Sequence, residues 1–132
     1  MIRLVTVIPV YNGERFLRAT LESVAAQTRR PDCVIIQDNC STDGTAAIAK
    51  EFESEGFEWC LNEAHVSSTK NFNAALQFAS KADVLHLLTA DDLVVPDFYE
   101  RLLNSLESVD GRALAYAAYE VIDENGALVQ GG

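Results

Sequence analysis

Four short apolar runs alternate with amphipathic stretches between residues 2 and 106 of the chain. The runs are rich in β-branched and aromatic residues and are too short for helices, so they predict buried strands. They cover Ile2–Ile8, Cys33–Ile36, Phe57–Leu61 and Val84–Leu88. Pro9 follows the first run and is expected to end that strand, with a loop after it.

Between and after these runs, apolar residues recur every three or four positions, which is typical of helices with one buried face. The four stripes are Leu17, Leu21, Val24 and Ala25; Ala46 to Phe52; Phe72, Ala75, Leu76 and Ala79; and Phe98, Leu102 and Leu106. Ser41, Thr42 and Asp43 are candidate caps of the second helix, and Gly56 is its expected stop. Pro96 suits the first turn of the fourth helix, which should end near Gly111.

The pattern changes after residue 111. The runs Leu114–Ile122 and Ala127–Val129 flank an Asn125-Gly126 pair, which predicts a β-hairpin. Strands that alternate with helices favour an α/β fold with a mainly parallel sheet of right-handed βαβ units, here with a C-terminal hairpin. A chain of 132 residues with 48% hydrophobic residues is expected to form a single domain.

Two polar, acidic segments follow predicted strands. Gln37–Thr45 comes after the second strand, and Thr89–Asp92 comes after the fourth. Ligands of open α/β sheets bind where the strands end. Carboxylate oxygens suit Mg²⁺ or Mn²⁺, and a bound cation can hold phosphates that bare acidic side chains would repel. The two segments therefore predict a pocket for a nucleotide diphosphate.

Charge and cysteine content narrow the function classes. The chain has 20 acidic and 10 basic residues, a net charge of −10, which disfavours nucleic acid as a partner. Cys33, Cys40 and Cys60 are odd in number and lack CxxC spacing, which favours reduced thiols and a cytoplasmic location. The N-terminal apolar run is too short for a signal peptide or a membrane span. Peripheral attachment to the inner face of the membrane is the alternative location.

Four motifs in the chain, taken in order, resemble the signatures of family 2 glycosyltransferases. They are Ile8–Asn12, Asp38–Thr45, Lys70–Asn73, and Ala90–Leu93 with Pro96–Phe98. The resemblance covers almost the whole chain. It implies the GT-A fold, a Rossmann-like sheet flanked by helices, in a form truncated relative to a full GT-A domain. Residues 1–132 would then be the donor half of a larger catalytic domain.

The resemblance also implies roles for individual residues. Pro9, Val10, Tyr11 and Asn12 would lie against the base of a nucleotide-sugar donor. Asp38 would contact that base, because a carboxylate can accept from an imide N–H such as that of uracil; the alternative is that Asp38 only caps its own loop.

Further implied residues concern the donor's phosphates. Lys70 would face the ligand, or else be a solvated helix lysine. Thr89, Ala90 and Asp91 occupy the place of the family's Asp-x-Asp motif. Asp91 would therefore ligate Mn²⁺ or Mg²⁺, with Asp92 as the other candidate ligand.

Three positions depart from the family pattern. Thr89 replaces the first Asp of the motif, which is expected to weaken metal binding. Cys40 and Ser67 stand where Gly is common, and Cys40 would be strained if its φ is positive. His65 and His86 have no partner at metal-ligand spacing, so both are interpreted as structural.

The predicted function is a metal-assisted transfer of sugar from a nucleotide diphosphate to an acceptor hydroxyl, with inversion. The acceptor is unknown, and the family's general base belongs to an acceptor-binding half that has no counterpart in this sequence. One alternative is a nucleotide-sugar-binding module without catalysis. A receiver domain would need an acidic pair after the first strand, and a nucleotidyltransferase would need a Gly-rich basic loop there. An exposed strand edge also suggests a homodimer.

Overall fold

A computed structural model describes residues 1–131 of the chain, and its main feature is a four-stranded parallel sheet. The strand order is β3-β2-β1-β4, and all three neighbouring pairs are parallel. The strands are β1 (Leu4–Val10), β2 (Cys33–Asp38), β3 (Glu58–Leu61) and β4 (Val84–Leu87). All four predicted strands are confirmed.

Helices connect the strands, as the apolar stripes predicted. They are α1 (Leu17–Ala25), α2 (Thr45–Glu51), α3 (Ser68–Ala75) and α4 (Phe98–Leu106). Short 3₁₀ turns extend α2 over Phe52–Glu55 and α3 over Leu76–Lys81. Gly56 ends the first of these turns with φ of 83°, a left-handed conformation that glycine adopts at little cost.

The centre of the sheet is its most buried part. Every residue of β1 is buried, in keeping with a central parallel strand that is covered on both faces. Leu17, Leu21 and Val24 of α1 are also fully buried. Burial of this kind contributes roughly 1.5–3 kcal/mol for each large aliphatic side chain. The core therefore fixes β1, the strand from which the first candidate motif emerges.

The prediction that Pro9 ends the first strand is wrong, because β1 continues to Val10. Asn39 N–H donates to the Val10 carbonyl on the β2 side, and Leu88 N–H donates to the Val7 carbonyl on the β4 side. Residues of β1 alternate between these two neighbours, so the N–H that Pro9 lacks would point to the β4 side. The pairing with β4 ends at Val7 and Leu87, so no ladder bond is lost there.

Two helical faces also differ from the predicted stripes. In α4 the buried residues are Tyr99 and Leu103, one position beyond the predicted Phe98 and Leu102. Tyr99 carries a polar hydroxyl, so a pattern based on apolar residues does not identify it as buried. In the structure this hydroxyl accepts a hydrogen bond from the Thr6 hydroxyl at 2.9 Å. Leu76, predicted to be on the apolar face of the third helix, is half exposed at the start of a 3₁₀ turn.

The structured residues form two compact units, one from Met1 to Tyr99 and one that begins at Glu100. The second unit contains the predicted hairpin, with antiparallel strands β5 (Glu120–Ile122) and β6 (Leu128–Gly131). Its first strand is shorter than predicted, and Leu114 and Tyr116 are 90% and 91% exposed outside any strand. Within residues 1–131, none of the helices has the length and apolar character needed to cross a membrane.

Candidate functional site

The sheet has a switch point beside its central strand. The chain moves from β1 to β2 and β3 on one side and then places β4 on the other side of β1. In open α/β sheets such a point creates a crevice at the carboxyl ends of the strands. Apart from Lys70 on α3, the predicted site residues lie at the ends of β1 and β2 or in the segments that follow β1 and β4. The parallel pairing brings these segments to the same end of the sheet.

The segments that follow β1 and β4 approach each other closely. A Cβ atom at Gly13 would lie 3.8 Å from the Ala90 Cβ and 2.6 Å from Cγ2 of Val10, so only glycine fits there without movement. The hydroxyl of Thr20 on α1 also donates to the Ala90 carbonyl at 3.0 Å. Ala90 is therefore held from two directions next to the tip of β1.

Asp91 and Asp92 differ in their surroundings, although both are exposed. The hydroxyl of Thr89 donates to the Asp92 carboxylate, and Asp92 N–H donates to the Thr89 carbonyl at 3.2 Å. Asp92 thus closes a local turn. No residue among 1–131 forms a hydrogen bond or ion pair with the Asp91 carboxylate, which remains available to a ligand.

The segment after β1 is bonded to the segment after β2. Asn12 has φ of 49°, its N–H donates to Ser41 Oγ at 2.9 Å, and its Oδ1 accepts from Thr42 N–H at 2.8 Å. Gly13 N–H donates to Thr45 Oγ1 at 2.9 Å. These contacts hold the two segments as one rim, a role for Ser41 and Thr42 that the expected helix capping did not anticipate.

The N-cap of α2 is Gly44, so the prediction that Ser41, Thr42 or Asp43 caps this helix is wrong. Asp43 lies directly before Gly44, and its carboxylate bonds to two backbone N–H groups. Its Oδ1 accepts from Thr45 N–H at 2.9 Å, and its Oδ2 accepts from Glu14 N–H at 3.2 Å. Partial burial opposes the effect, but these bonds and one from the Thr45 hydroxyl hold the pKa of Asp43 below its usual range. Asp43 is therefore occupied with the rim and α2.

Asp38, the predicted base contact, lies at the end of β2 with only 1% of its surface exposed. Its Oδ1 accepts from Ser41 N–H at 2.9 Å, and its Oδ2 accepts from the indole N–H of Trp59 at 3.1 Å. Both carboxylate oxygens therefore bond to the protein itself. The bond to Ser41 is the loop cap that the sequence offered as the alternative.

Cys40 adopts a positive φ, the conformation in which a residue other than glycine is predicted to be strained. Its φ is 61°, in the left-handed region that glycine tolerates and residues with a Cβ disfavour. Its thiol is 3.3 Å from the Asn62 carbonyl oxygen. The departure from glycine at this position therefore strains the loop that follows β2.

Lys70 lies in the first turn of α3 and is exposed. Ser67 is the N-cap of this helix, and its hydroxyl accepts from Lys70 N–H at 3.3 Å. Serine is a favoured cap, which explains how the chain accommodates it where glycine is common. The ammonium of Lys70 has no ion-pair partner within the part of the chain that the structure covers.

A cavity of about 220 Å³ opens beside the ends of β1 and β2. Its walls are Pro9–Tyr11, Asn39, the loop His65–Ser68, and Asn71 and Phe72 of α3. Of the predicted site residues, only Pro9, Val10 and Tyr11 line it. Asn12, Asp38, Lys70 and Thr89 to Asp91 do not, so the site as predicted comprises this cavity and a separate exposed patch after β4.

Buried amide side chains fix the back of the cavity. Asn39 is 2% exposed, its Nδ2 donates to the Val66 carbonyl at 2.7 Å, and its Oδ1 accepts from Val66 N–H at 2.9 Å. Asn62 Nδ2 donates to Oδ1 of Asn71 at 2.8 Å, and also to Oδ1 of Asn39 at 3.1 Å. The loop that begins at His65 is therefore anchored although it has no regular secondary structure.

The imidazole of His65 is part of the cavity wall, which the sequence did not reveal. Its Nδ1 is 3.1 Å from the Asn39 carbonyl oxygen, and its ring centroid is 4.5 Å from that of Tyr11 with a 51° tilt. Tyr11 is 49% exposed, so part of its ring is open to a ligand. Only the tertiary fold brings these two rings together, since they are distant in the chain.

His86 is structural, as predicted, and lies within β4. Tyr99 accepts a hydrogen bond from Thr6, so its own hydroxyl donates to Nδ1 of His86 at 3.0 Å. Burial lowers the pKa of His86 to about 4, which keeps its ring neutral at physiological pH. The three cysteines are free thiols, as the sequence predicted.

The residues after β4 suit a cation that is shared with phosphates. Within residues 1–131, no cluster of three His, Cys, Asp or Glu side chains could enclose a metal by itself. Mg²⁺ is commonly held by one or two carboxylates, with substrate phosphates and water completing its shell. The exposed, unbonded Asp91 carboxylate fits that kind of site, and it does not fit a metal cage made entirely of protein ligands.

Comparison with known proteins agrees with the family resemblance. Residues 5–130 match the family model described as Glycosyl transferase family 2. An uncharacterized glycosyltransferase of Rickettsia typhi is 29% identical over 119 residues, which is 89% of this chain and 36% of the relative. The chain therefore spans about a third of the length of that relative.

Solved structures agree with the fold. Residues 1–349 of Staphylococcus aureus TarS, in complex with UDP, match with a TM-score of 0.72 and 21% identity, over 91% of this chain and 41% of that one. The Pyrobaculum calidifontis mannosyltransferase PcManGT, in complex with GDP-Man and Mn²⁺, matches with a TM-score of 0.71 and 20% identity, over 81% and 33% of the two chains. The GT-A fold expected from the sequence is confirmed, and the chain corresponds to a portion of these larger proteins.

Proposed function

Because the chain belongs to glycosyl transferase family 2, we propose that its strand ends bind a nucleotide-diphospho-sugar donor together with Mn²⁺ or Mg²⁺. The observation that carries the proposal is the convergence of the segments after β1 and β4 at the switch point. There the Gly13–Ala90 approach lies beside an unbonded Asp91 carboxylate. The GDP-Man and Mn²⁺ of the mannosyltransferase neighbour support the choice of ligand class.

Each part of the donor has a proposed partner. The base occupies the cavity beside Pro9, Val10 and Tyr11, and Asn12 holds that segment against the neighbouring rim. The diphosphate lies toward the segment after β4, where Asp91 carries the cation. Lys70 supplies a positive charge on α3 that can turn toward the phosphates.

The transfer step belongs to the whole family-type enzyme. A bound divalent cation would neutralise the diphosphate and stabilise the charge that develops on the leaving nucleotide. The acceptor hydroxyl would attack the anomeric carbon opposite the leaving group, so configuration would invert. Since the chain spans 36% of its Rickettsia typhi relative, donor binding is the step assigned to this chain.

Calorimetric titration with UDP and GDP, with and without Mn²⁺, tests the proposal. We expect at least one nucleotide to bind much more tightly with the metal, and Asp91→Asn to remove that gain. Asp91 is exposed and makes no internal bond, so the substitution should leave the fold intact. Asp92→Asn is the matched control and should keep most of the gain.

Binding that is indifferent to Mn²⁺ would contradict the proposed metal site. A full metal effect in Asp91→Asn, with its loss in Asp92→Asn, would transfer the ligand role to Asp92. If neither nucleotide binds under any condition, the donor site itself is wrong.

A further inference from the structure

The base of the donor must meet a polar atom in the cavity, and the residue expected to provide one is poorly placed for it. Asp38 is 1% exposed, both of its oxygens accept from protein N–H groups, and it does not line the cavity. Each oxygen keeps a second lone pair, but at 1% exposure contact with a base would require the loop after β2 to open. Another acceptor is therefore needed.

His65 lines the cavity, and the protonation of its ring can be deduced from its neighbour. Nδ1 is 3.1 Å from the Asn39 carbonyl oxygen. A carbonyl oxygen can only accept, so Nδ1 must carry the proton. In a neutral imidazole the other nitrogen, Nε2, is then an acceptor.

This tautomer is well fixed. Asn39 is buried, and its side chain bonds both to Val66, the residue after His65, and to Asn62, so the carbonyl that orients the ring cannot easily move. Tyr11 packs against the same ring, with centroids 4.5 Å apart. No residue among 1–131 hydrogen-bonds to Nε2, which leaves this atom to a ligand.

The two rings have different consequences for recognition. Tyr11 offers an aromatic face, and stacking on such a face tolerates any base because every base has one. Nε2 of His65 can accept a hydrogen bond. His65 is exposed in the free protein, but a base that covers Nε2 and supplies no donor would remove this atom from water, which is costly. Selectivity must therefore come from His65 and affinity from Tyr11.

We propose that His65 is the specificity-determining residue of the donor site, and that it selects bases with a ring N–H donor next to a carbonyl. Uracil, thymine and guanine carry that group. Cytosine and adenine carry a ring acceptor at the corresponding edge. Asp38 is in this view a positioning residue that shapes the loop after β2. The inference rests on the proposed donor site and adds the residue that reads the base.

The test is calorimetric titration with UDP and CDP in the presence of Mn²⁺, because these two nucleotides differ only at that edge of the ring. The wild-type chain should prefer UDP by on the order of tenfold or more. His65→Phe keeps a ring against Tyr11 but lacks Nε2, so its preference should fall to about twofold or less, mainly through weaker UDP binding. His65→Gln retains an acceptor oxygen and should recover part of the preference.

Two matched variants make the result specific. Glu63→Gln changes an exposed residue close to His65 in the chain that does not line the cavity, and it should leave the preference unchanged. Asp38→Asn should keep the preference for UDP. Because this substitution should also lower stability, thermal unfolding of every variant is measured alongside. Titration with dTDP and GDP then separates pyrimidine from purine donors that share the same N–H group.

The outcomes distinguish this inference from the donor site itself. If UDP binds with Mn²⁺ but His65→Phe keeps the full preference, the role of His65 is wrong and the donor site stands. If Asp38→Asn abolishes the preference while His65→Phe does not, Asp38 reads the base. If UDP does not bind to the wild-type chain, the proposed function fails and this inference fails with it.

Discussion

The hydroxyl of Thr20 donates to the carbonyl oxygen of Ala90 at 3.0 Å, which joins the first helix to the segment that carries the proposed metal ligand. Thr20 is 0% exposed, so its hydroxyl has no access to water. Asp91 follows Ala90 directly. The position of that carboxylate therefore depends on a bond made 70 residues earlier in the chain.

Thr20→Val tests this dependence, because valine has the same shape and lacks the hydroxyl. The Ala90 carbonyl loses its partner, so the free energy of unfolding in urea should fall by about 1–2 kcal/mol. Affinity for UDP with Mn²⁺ should fall severalfold in the same variant. Thr20→Ser keeps the hydroxyl and should lose less than about 1 kcal/mol. Equal losses of metal-dependent affinity in both variants would contradict the role of the bond.

Cys40 offers a test of backbone strain. Its φ of 61° favours glycine, so Cys40→Gly should raise the free energy of unfolding relative to Cys40→Ala by roughly 1 kcal/mol. Alanine is the matched control because it removes the thiol contact with Asn62 and keeps the strained Cβ. Chemical denaturation of the two variants measures the difference. An alanine variant as stable as the glycine variant would show that the loop is relaxed.

The lowered pKa of His86 leads to a prediction about how the free energy of unfolding depends on pH. The pKa of His86 is about 4 in the folded state and about 6.5 in the unfolded state. Between pH 4 and 6.5 the unfolded chain therefore binds a proton at this residue that the folded chain does not bind. Stability should be unaffected by this residue above pH 6.5 and should fall by up to about 3 kcal/mol as the pH drops to 4.

His86→Asn is the variant for that measurement, since an amide oxygen can accept from Tyr99 and does not titrate. Urea unfolding of both chains at several pH values should give a shallower fall for the variant between pH 6.5 and 4. Carboxylates contribute equally to both chains, so the difference between the two curves isolates the histidine. Parallel curves would mean that His86 is not kept neutral by the fold.

Asn12 joins the segment after β1 to the segment after β2, and two substitutions separate the effect of its side-chain bond from that of its positive φ. Asn12→Gly keeps the positive φ and removes the bond to Thr42, whereas Asn12→Ala also adds strain. Both should weaken UDP binding, because Pro9 to Tyr11 lose their anchor. Unfolding by urea should place Asn12→Ala below Asn12→Gly by roughly 1 kcal/mol. Unchanged nucleotide affinity in both variants would remove Asn12 from the site.

The sequence predicted the sheet well because local patterns encode it. Val84 to Leu87 and Leu4 to Ile8 are apolar except for His86 and Thr6, as expected of strands covered on both faces. The apolar stripe of α1, which includes Leu17, Leu21 and Val24, is buried as predicted. The prediction at Pro9 was wrong because a proline disrupts a strand only where its missing N–H would face a paired neighbour. On that side lies β4, whose pairing with β1 is set across the sheet and not by nearby residues.

The site was less predictable for a similar reason. Asp38 and Asp91 were identified by their place at strand ends, but whether a carboxylate faces solvent or an internal donor depends on distant residues. Trp59 bonds to Asp38 and leaves it buried, while Asp91 has no such partner. His65 had no signal at all in the sequence, since its importance arises from Tyr11 and Asn39 across the cavity.

The bond between Trp59 and Asp38 also provides a built-in optical probe. Trp59 is the only tryptophan of the chain, and the ammonium of Lys50 lies 4.7 Å from the centroid of its ring. Tryptophan fluorescence therefore reports on a single position, beside Asp38 at the start of the loop after β2. A ligand that opens this loop would alter the emission wavelength, whereas one that docks against a closed loop would leave the spectrum almost unchanged.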